Sequence, residues 1–148
     1  MPVNWKAAQQ KASRTARWAV TMTKVRIRRI TVKTRWQLVT FCGKAGGESA
    51  GIVDLLAVRK YHGKPRRDLG RGDTFQIVLI QVKGGRAGMP TANDWTRLRA
   101  VAKWHRATGI LLAVWIKGRE VRFFEPKGNR VKGRLKFREV ADLHTIFH

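Results

Sequence analysis

Acidic residues are scarce in this chain and missing altogether from its first 47 positions. Nine Asp and Glu stand against 32 Lys and Arg, a formal net charge of +23. So much like charge repels itself in the compact state unless a polyanion or counter-ions neutralise it. Nucleic acid is the obvious polyanion, because each phosphate contact releases a condensed counter-ion. Anionic lipid is the rival, and it would ask for a basic amphipathic helix or a lipidation signal. Cysteine is almost absent as well. Cys42 is alone, which excludes an internal disulfide framework and a Cys-based zinc site. No apolar run approaches the roughly 18 residues of a membrane span, and the N-terminus lacks the apolar core of a signal peptide. The expectation is a cytoplasmic protein without a membrane partner, nucleoid-associated in a prokaryote. The Arg-rich, acid-free N-terminus weakly resembles a mitochondrial transit peptide, which is the minor alternative.

What is present suffices for a folded domain. The 148 residues are 43% hydrophobic, enough for one globular unit with a real core. Six Trp and six Phe are expected mainly in that core, with some left as platforms for base stacking. Asn4 can cap a helix from Trp5 to about Thr21, with Trp5, Ala8, Ala12 and Ala16 along one face. From Lys24 to Lys33, Val25, Ile27, Ile30 and Val32 interleave with Arg and Lys, which favours a strand or extended arm and leaves a helix continuation open. Residues 1–35 therefore read as a basic N-terminal helix or arm, and 36–148 as an α/β domain.

Within that domain, Trp36–Cys42 reads as a strand and Gly43–Gly47 as a turn. Ile52–Arg59 is a buried strand interrupted by one carboxylate, Tyr61–Asp73 a polar loop, and Phe75–Lys83 another buried strand. Thr91–Thr108 carries helix punctuation, with Thr91 or Asn93 as cap, Asp94 in the first turn and Gly109 as stop. Ile110–Ile116 is a buried strand. Lys117-Gly118-Arg119 turns it back into Glu120–Glu125. Arg134–Arg138 reads as an edge strand and Glu139–Phe147 as a closing helix. Strands 52–59 and 75–83 are expected to pair antiparallel. The helix then crosses over to a strand parallel to 75–83, giving a mixed sheet flanked by helices.

Asp54 is the position that calls for chemistry, since a carboxylate in an apolar strand is costly unless paired or coordinated. Strand periodicity puts Gln81 and Lys83 on one face. If the two strands pair, Asp54, Gln81 and Lys83 converge at one end of the sheet, with Glu48 within reach from the glycine-rich turn. Mg²⁺ prefers hard oxygen ligands and takes only one or two carboxylates. Asp54, the Gln81 amide oxygen, the Val82 carbonyl and Glu48 form such a set. Lys83 would then orient water or stabilise the transition state of phosphodiester hydrolysis.

The Gly51-Ile52-Val53-Asp54-Leu55-Leu56-Ala57 segment resembles the GxxD strand of the PD-(D/E)xK nuclease superfamily, and Gln81-Val82-Lys83 resembles its (D/E/Q)-x-K strand. Holliday-junction-resolvase-like and Mrr-like members are the nearest comparison. The resemblance covers roughly half the chain. It implies a restriction-endonuclease-like αβββαβ core, here with a basic N-terminal extension. It also implies a Mg²⁺- or Mn²⁺-dependent endonuclease acting on DNA, duplex or branched, as a homodimer where both strands of a junction are cut. Asp54 matches the metal-binding Asp, Gln81 the position usually held by Glu, and Lys83 the catalytic Lys. Two departures stand out. Gln81 removes one negative charge, and the Glu usually found on the first helix has no counterpart here, which leaves Glu48 as the substitute.

Phosphate contacts are expected from Arg26, Arg28, Arg29, Lys33 and Arg35 in the N-terminal block. Gly84, Gly85 and Arg86 follow the strand 75–83 and can admit a phosphate backbone. Arg97, Arg99 and Lys103 populate the helix. The rival reading is a non-catalytic DNA- or RNA-binding protein in which Asp54 and Lys83 form a structural pair. A basic ribosome-associated or membrane-surface protein also fits the charge but leaves the strand motif unexplained.

Overall fold

In the computed structural model, which describes residues 2–41, 51–64, 66–86, 89–127 and 136–148, the chain opens with one long helix. The Asn4 side chain accepts from the Ala7 N–H at 3.1 Å and starts α1, Trp5–Thr31. The helix thus continues from Lys24 to Thr31, where a strand or extended arm was the favoured expectation. Its buried positions show why. Ala19, Thr23, Ile27 and Thr31 recur every four residues, a helical stripe, whereas the apparent period of two breaks between Ile27 and Ile30. The buried hydroxyls of Thr23 and Thr31 donate to the carbonyls of Ala19 and Ile27 at 2.7 and 3.0 Å, so the β-branched residues bring no unpaired polar atom into the core.

Six strands follow in a single sheet, ordered as in the sequence. They are β1 Gln37–Thr40, β2 Leu55–Lys60, β3 Phe75–Gly84, β4 Gly109–Trp115, β5 Arg122–Pro126 and β6 Phe137–Glu139. The β2–β3 pair is antiparallel, as expected, and α2 (Ala92–Trp104) carries the chain over to β4, which lies parallel to β3. Every other pairing is antiparallel. The result is a mixed α/β fold. Thr91 and Asp94 form a reciprocal capping box at the start of α2. Its end differs from expectation: Arg106, with φ 50°, takes the left-handed position, and Gly109 already belongs to β4. The closing helix α3 spans only His144–Phe147.

Alternation along the strands divides the core into two layers. Ala19, Ile27, Leu55, Ile80, Leu111 and Phe147 belong to the layer beneath α1. Trp95 and Leu98 of α2 pack with Ile52, and Ile110 and Phe137 flank them on the other face. The expectation that aromatics fill the core holds for Trp36, Trp95 and Trp115 and fails for the other Trp residues. Trp5, Trp18 and Trp104 are 79%, 53% and 84% exposed. Trp5, Ala8, Ala12 and Ala16 share the azimuth of the buried stripe, yet all are exposed.

Gly84 marks how closely α1 approaches the sheet. A Cβ there would lie 2.9 Å from the Ala19 Cβ and 3.2 Å from the Thr15 carbonyl oxygen. Gly84→Ala is therefore expected to destabilise by about 1–3 kcal/mol through overpacking, read as a lower midpoint in urea unfolding with an unchanged slope. An unchanged midpoint would mean that α1 shifts freely over the sheet.

Candidate nuclease site

Asp54 stands immediately before β2, one residue outside the strand rather than within it. The ladder pairs Leu55 with Ile80, yet the Asp54 N–H also donates to the Ile80 carbonyl at 3.0 Å, while the Asp54 carbonyl accepts from Phe41. Two residues of one strand thus address one residue of the other, a bulge that turns the backbone at this point. Ile52 leaves the sheet there and packs under α2. The Asp54 side chain then does what the next ladder carbonyl would have done. Its Oδ2 accepts from the Val82 N–H at 2.7 Å.

This bond ties Asp54 to the Gln81–Lys83 segment of β3. A strand residue's N–H and C=O project to the same edge, so the Val82 carbonyl also faces the side from which Asp54 approaches. Ile80 and Val82 face the α1 layer, so alternation sends Gln81 and Lys83 to the opposite face. Gln81 is only 5% exposed, and its Oε1 has no hydrogen-bond partner among the described residues. A buried carbonyl oxygen without a donor costs about 1–3 kcal/mol. Lys83 is half-buried two residues further along. The β-strand register therefore brings Asp54, Gln81, Val82 and Lys83 to one end of the β2–β3 pair, while Glu48 lies outside the described residues.

Among the described residues, no group of three or more His, Cys, Asp or Glu is placed to hold a metal ion. Asp54 and Gln81 nonetheless fit a hard divalent cation in one respect. A carboxylate and an orphaned amide oxygen lie on adjacent positions of paired strands, the donor chemistry that Mg²⁺ and Mn²⁺ accept alongside water.

The predicted phosphate-binding residues do not form one surface. On α1, Arg26 and Arg29 share a side at helical spacing, whereas Arg28 projects elsewhere. Lys33 and Arg35 border a cleft where β2 ends and β3 begins, the far end from Asp54. Arg97, Arg99 and Lys103 are exposed on α2, and Arg86 is exposed after β3. Gly84 and Gly85 have a packing explanation: α1 lies against both, and the Gly85 N–H donates to the Trp115 carbonyl at 2.9 Å. Sequence reasoning missed a groove of about 650 Å³ at the Lys83 end of the sheet, where Lys11, Arg14 and Lys117 surround the half-exposed Trp18. Its signal was the helical spacing of Lys11, Arg14 and Trp18, hidden because the hairpin turn supplies the remaining cation.

Acids are spent mainly on structure. Arg122 holds Glu139 at 2.7 Å, and Arg138 holds Glu125, both across the β5–β6 edge. The Arg122 hydrogen bond draws the Glu139 carboxyl below its ordinary range, and Glu139 in turn raises Arg122. Arg59 differs: burial lowers its pKa.

No family model, curated protein or solved structure matches the chain. No helix among the described residues is long and apolar enough to cross a membrane.

Proposed function

We propose that the chain is a metal-dependent endonuclease of the PD-(D/E)xK class, hydrolysing phosphodiester bonds in DNA. The observation that carries this reading is the buried, partnerless Oε1 of Gln81, beside a carboxylate whose position is set by Val82. The succession α1, β1, β2, β3, α2, β4 has the order that the resemblance implies. Asp54 and Gln81 would hold Mg²⁺ or Mn²⁺, with the Val82 carbonyl and Glu48 as further donors. When bound, the ion supplies Lewis acidity and makes an attacking water more acidic. Lys83 lies on the same face as Gln81, where its side chain would stabilise negative charge developing on the phosphate. Branched DNA, cut by a two-fold dimer, is the substrate that the resolvase-like resemblance favours.

A second reading has its own support. Asp54 Oδ2 already serves the sheet through Val82, and Gln81 stands where an acid is usual. On this reading the fold is a non-catalytic nucleic-acid binder. Metal binding separates the two. Calorimetric titration with Mn²⁺ is expected to show a site that Gln81→Leu weakens and Gln81→Glu strengthens. Gln81→Leu should leave unfolding stability unchanged or higher, because it removes a buried unsatisfied oxygen. Absence of any Mn²⁺ site, with all three proteins folded, would establish the binder.

A further inference from the structure

A wide cleft among the described residues lies away from the candidate nuclease site, and its chemistry is one-sided. It encloses about 1090 Å³ where β2 ends and β3 begins, bordered by the turn after α1. Lys33, Arg35, Arg59, Lys60 and Arg71 contribute to its wall, together with His62 and His148, and among the described residues no acidic side chain does. Along β2, Asp54 and Arg59 are five residues apart, about 16 Å. Arg59 also lies on the α1 side of the sheet, sharing the parity of Leu55 and Ala57, both in that layer.

Arg59 is fixed there by neutral groups. Its Nε donates to Gln76 Oε1 at 2.6 Å and its Nη1 to the Thr34 carbonyl at 3.3 Å, and its guanidinium lies 4.6 Å from the centre of the Trp36 ring. Three contacts hold the fork in place without neutralising it. A guanidinium so placed is pre-organised for the oxygens of a phosphate. One of the two described non-glycine residues with positive φ lies at the same place. Arg35 sits at φ 59°, the left-handed region where a side chain costs about 1 kcal/mol, and such strain is found preferentially at ligand sites.

Two rings adjoin these cations. Tyr61 is 42% and Phe75 56% exposed. Tyr61 is anchored by its N–H donating to the Thr74 carbonyl at 2.8 Å, and Phe75 pairs with Lys60 across the ladder. Exposed aromatic faces beside fixed cations are what a base and its phosphate require together.

We infer that this cleft is a nucleotide-binding site, with the phosphate on Arg59 and Arg71 and the base stacked on Tyr61. The inference is independent of the nuclease reading, because none of Asp54, Gln81 and Lys83 borders the cleft. Two sources offer this chemistry: a free mononucleotide, and the phosphorylated end of a nucleic-acid strand.

The test is equilibrium binding of adenosine monophosphate, of a 5′-phosphorylated tetranucleotide and of inorganic phosphate. It is run at an ionic strength of about 0.15 M, where distant surface charge is largely screened. Arg71→Ala and Tyr61→Ala alter exposed side chains and should leave the fold intact. Each is expected to weaken nucleotide binding about tenfold, the scale of one stacked base, whereas Arg119→Ala in the β4–β5 turn changes it little. Monophosphate binding that follows this pattern assigns the cleft to free nucleotide; tetranucleotide binding alone assigns it to a strand end. Inorganic phosphate competing as well as the nucleotide would overturn the inference. So would losses in Arg71→Ala and Tyr61→Ala no larger than in Arg119→Ala.

Discussion

Asp54→Asn is expected to abolish DNA cleavage while leaving the protein folded and bound to DNA. The substitution separates two duties of one side chain. Asn keeps an oxygen that can accept from the Val82 N–H, the bond seen at 2.7 Å, so the end of the β2–β3 ladder survives. It loses the negative charge that a divalent cation needs. Asp54→Ala removes both, leaves the Val82 N–H without its acceptor, and should cost about 1–3 kcal/mol of stability in addition. Lys83→Met keeps the apolar stem and removes the ammonium, with an expected loss of about 10²–10³-fold in rate, the scale for deleting one group that stabilises charge in the transition state. The assay uses labelled four-way junction, duplex and single-stranded DNA with Mg²⁺, Mn²⁺ or EDTA. Cutting that requires metal and disappears in Asp54→Asn and Lys83→Met would establish the site and show the preferred DNA shape. If wild-type protein binds every substrate tightly and cuts none, the non-catalytic reading takes its place.

DNA binding is expected to fall by roughly 10³-fold or more between 50 and 200 mM salt, the behaviour of a protein that neutralises about six to ten phosphates. A net charge of +23 makes this expectation common to both functional readings, so the informative quantity is where the slope comes from. Lys6, Arg17, Lys24 and Arg28 lie on the 27-residue α1 within about 40° of one another around its axis, over a rise of about 33 Å. That is close to one turn of a DNA duplex. Replacing any one of them with Ala should lower the slope of log K against log salt by about one. Four such replacements that left the slope unchanged would show that α1 turns this face away from the DNA, and the groove of Lys11, Arg14 and Lys117 would become the next candidate.

The elements of the sheet were legible because their signals are local. Phe75–Lys83 and Ile110–Ile116 are continuous apolar runs bounded by polar or glycine-rich segments, and Thr91 and Asp94 announce α2 through a contact three residues long. The second half of α1 was harder to read. Ile27 and Ile30 fit an imperfect strand alternation as readily as a helical stripe, and only packing against β3 and β4 decides between them. Strand parity likewise sufficed to place Gln81 and Lys83 on one face.

Other features depend on residues far apart in the chain. That Asp54 lies outside β2 rather than within it follows from a bulge whose partner, Ile80, is 26 positions away. The need for glycine at position 84 comes from Ala19 and Thr15 on a helix that the sequence lists some 65 residues earlier. The wide cleft gathers Lys33, Arg59 and Arg71 from three separate segments.

By itself, the sequence determined the mixed α/β class, the excess of positive charge, and the pairing of the Asp54 and Gln81–Lys83 strands, because hydrophobic periodicity, charge and turn chemistry act over a few residues. Only the tertiary structure decided that Asp54 is tied to the backbone of Val82, that Gln81 Oε1 is buried without a partner, and that Arg59 is held among neutral groups. Those are consequences of burial and long-range contact, which exist only once the chain has folded.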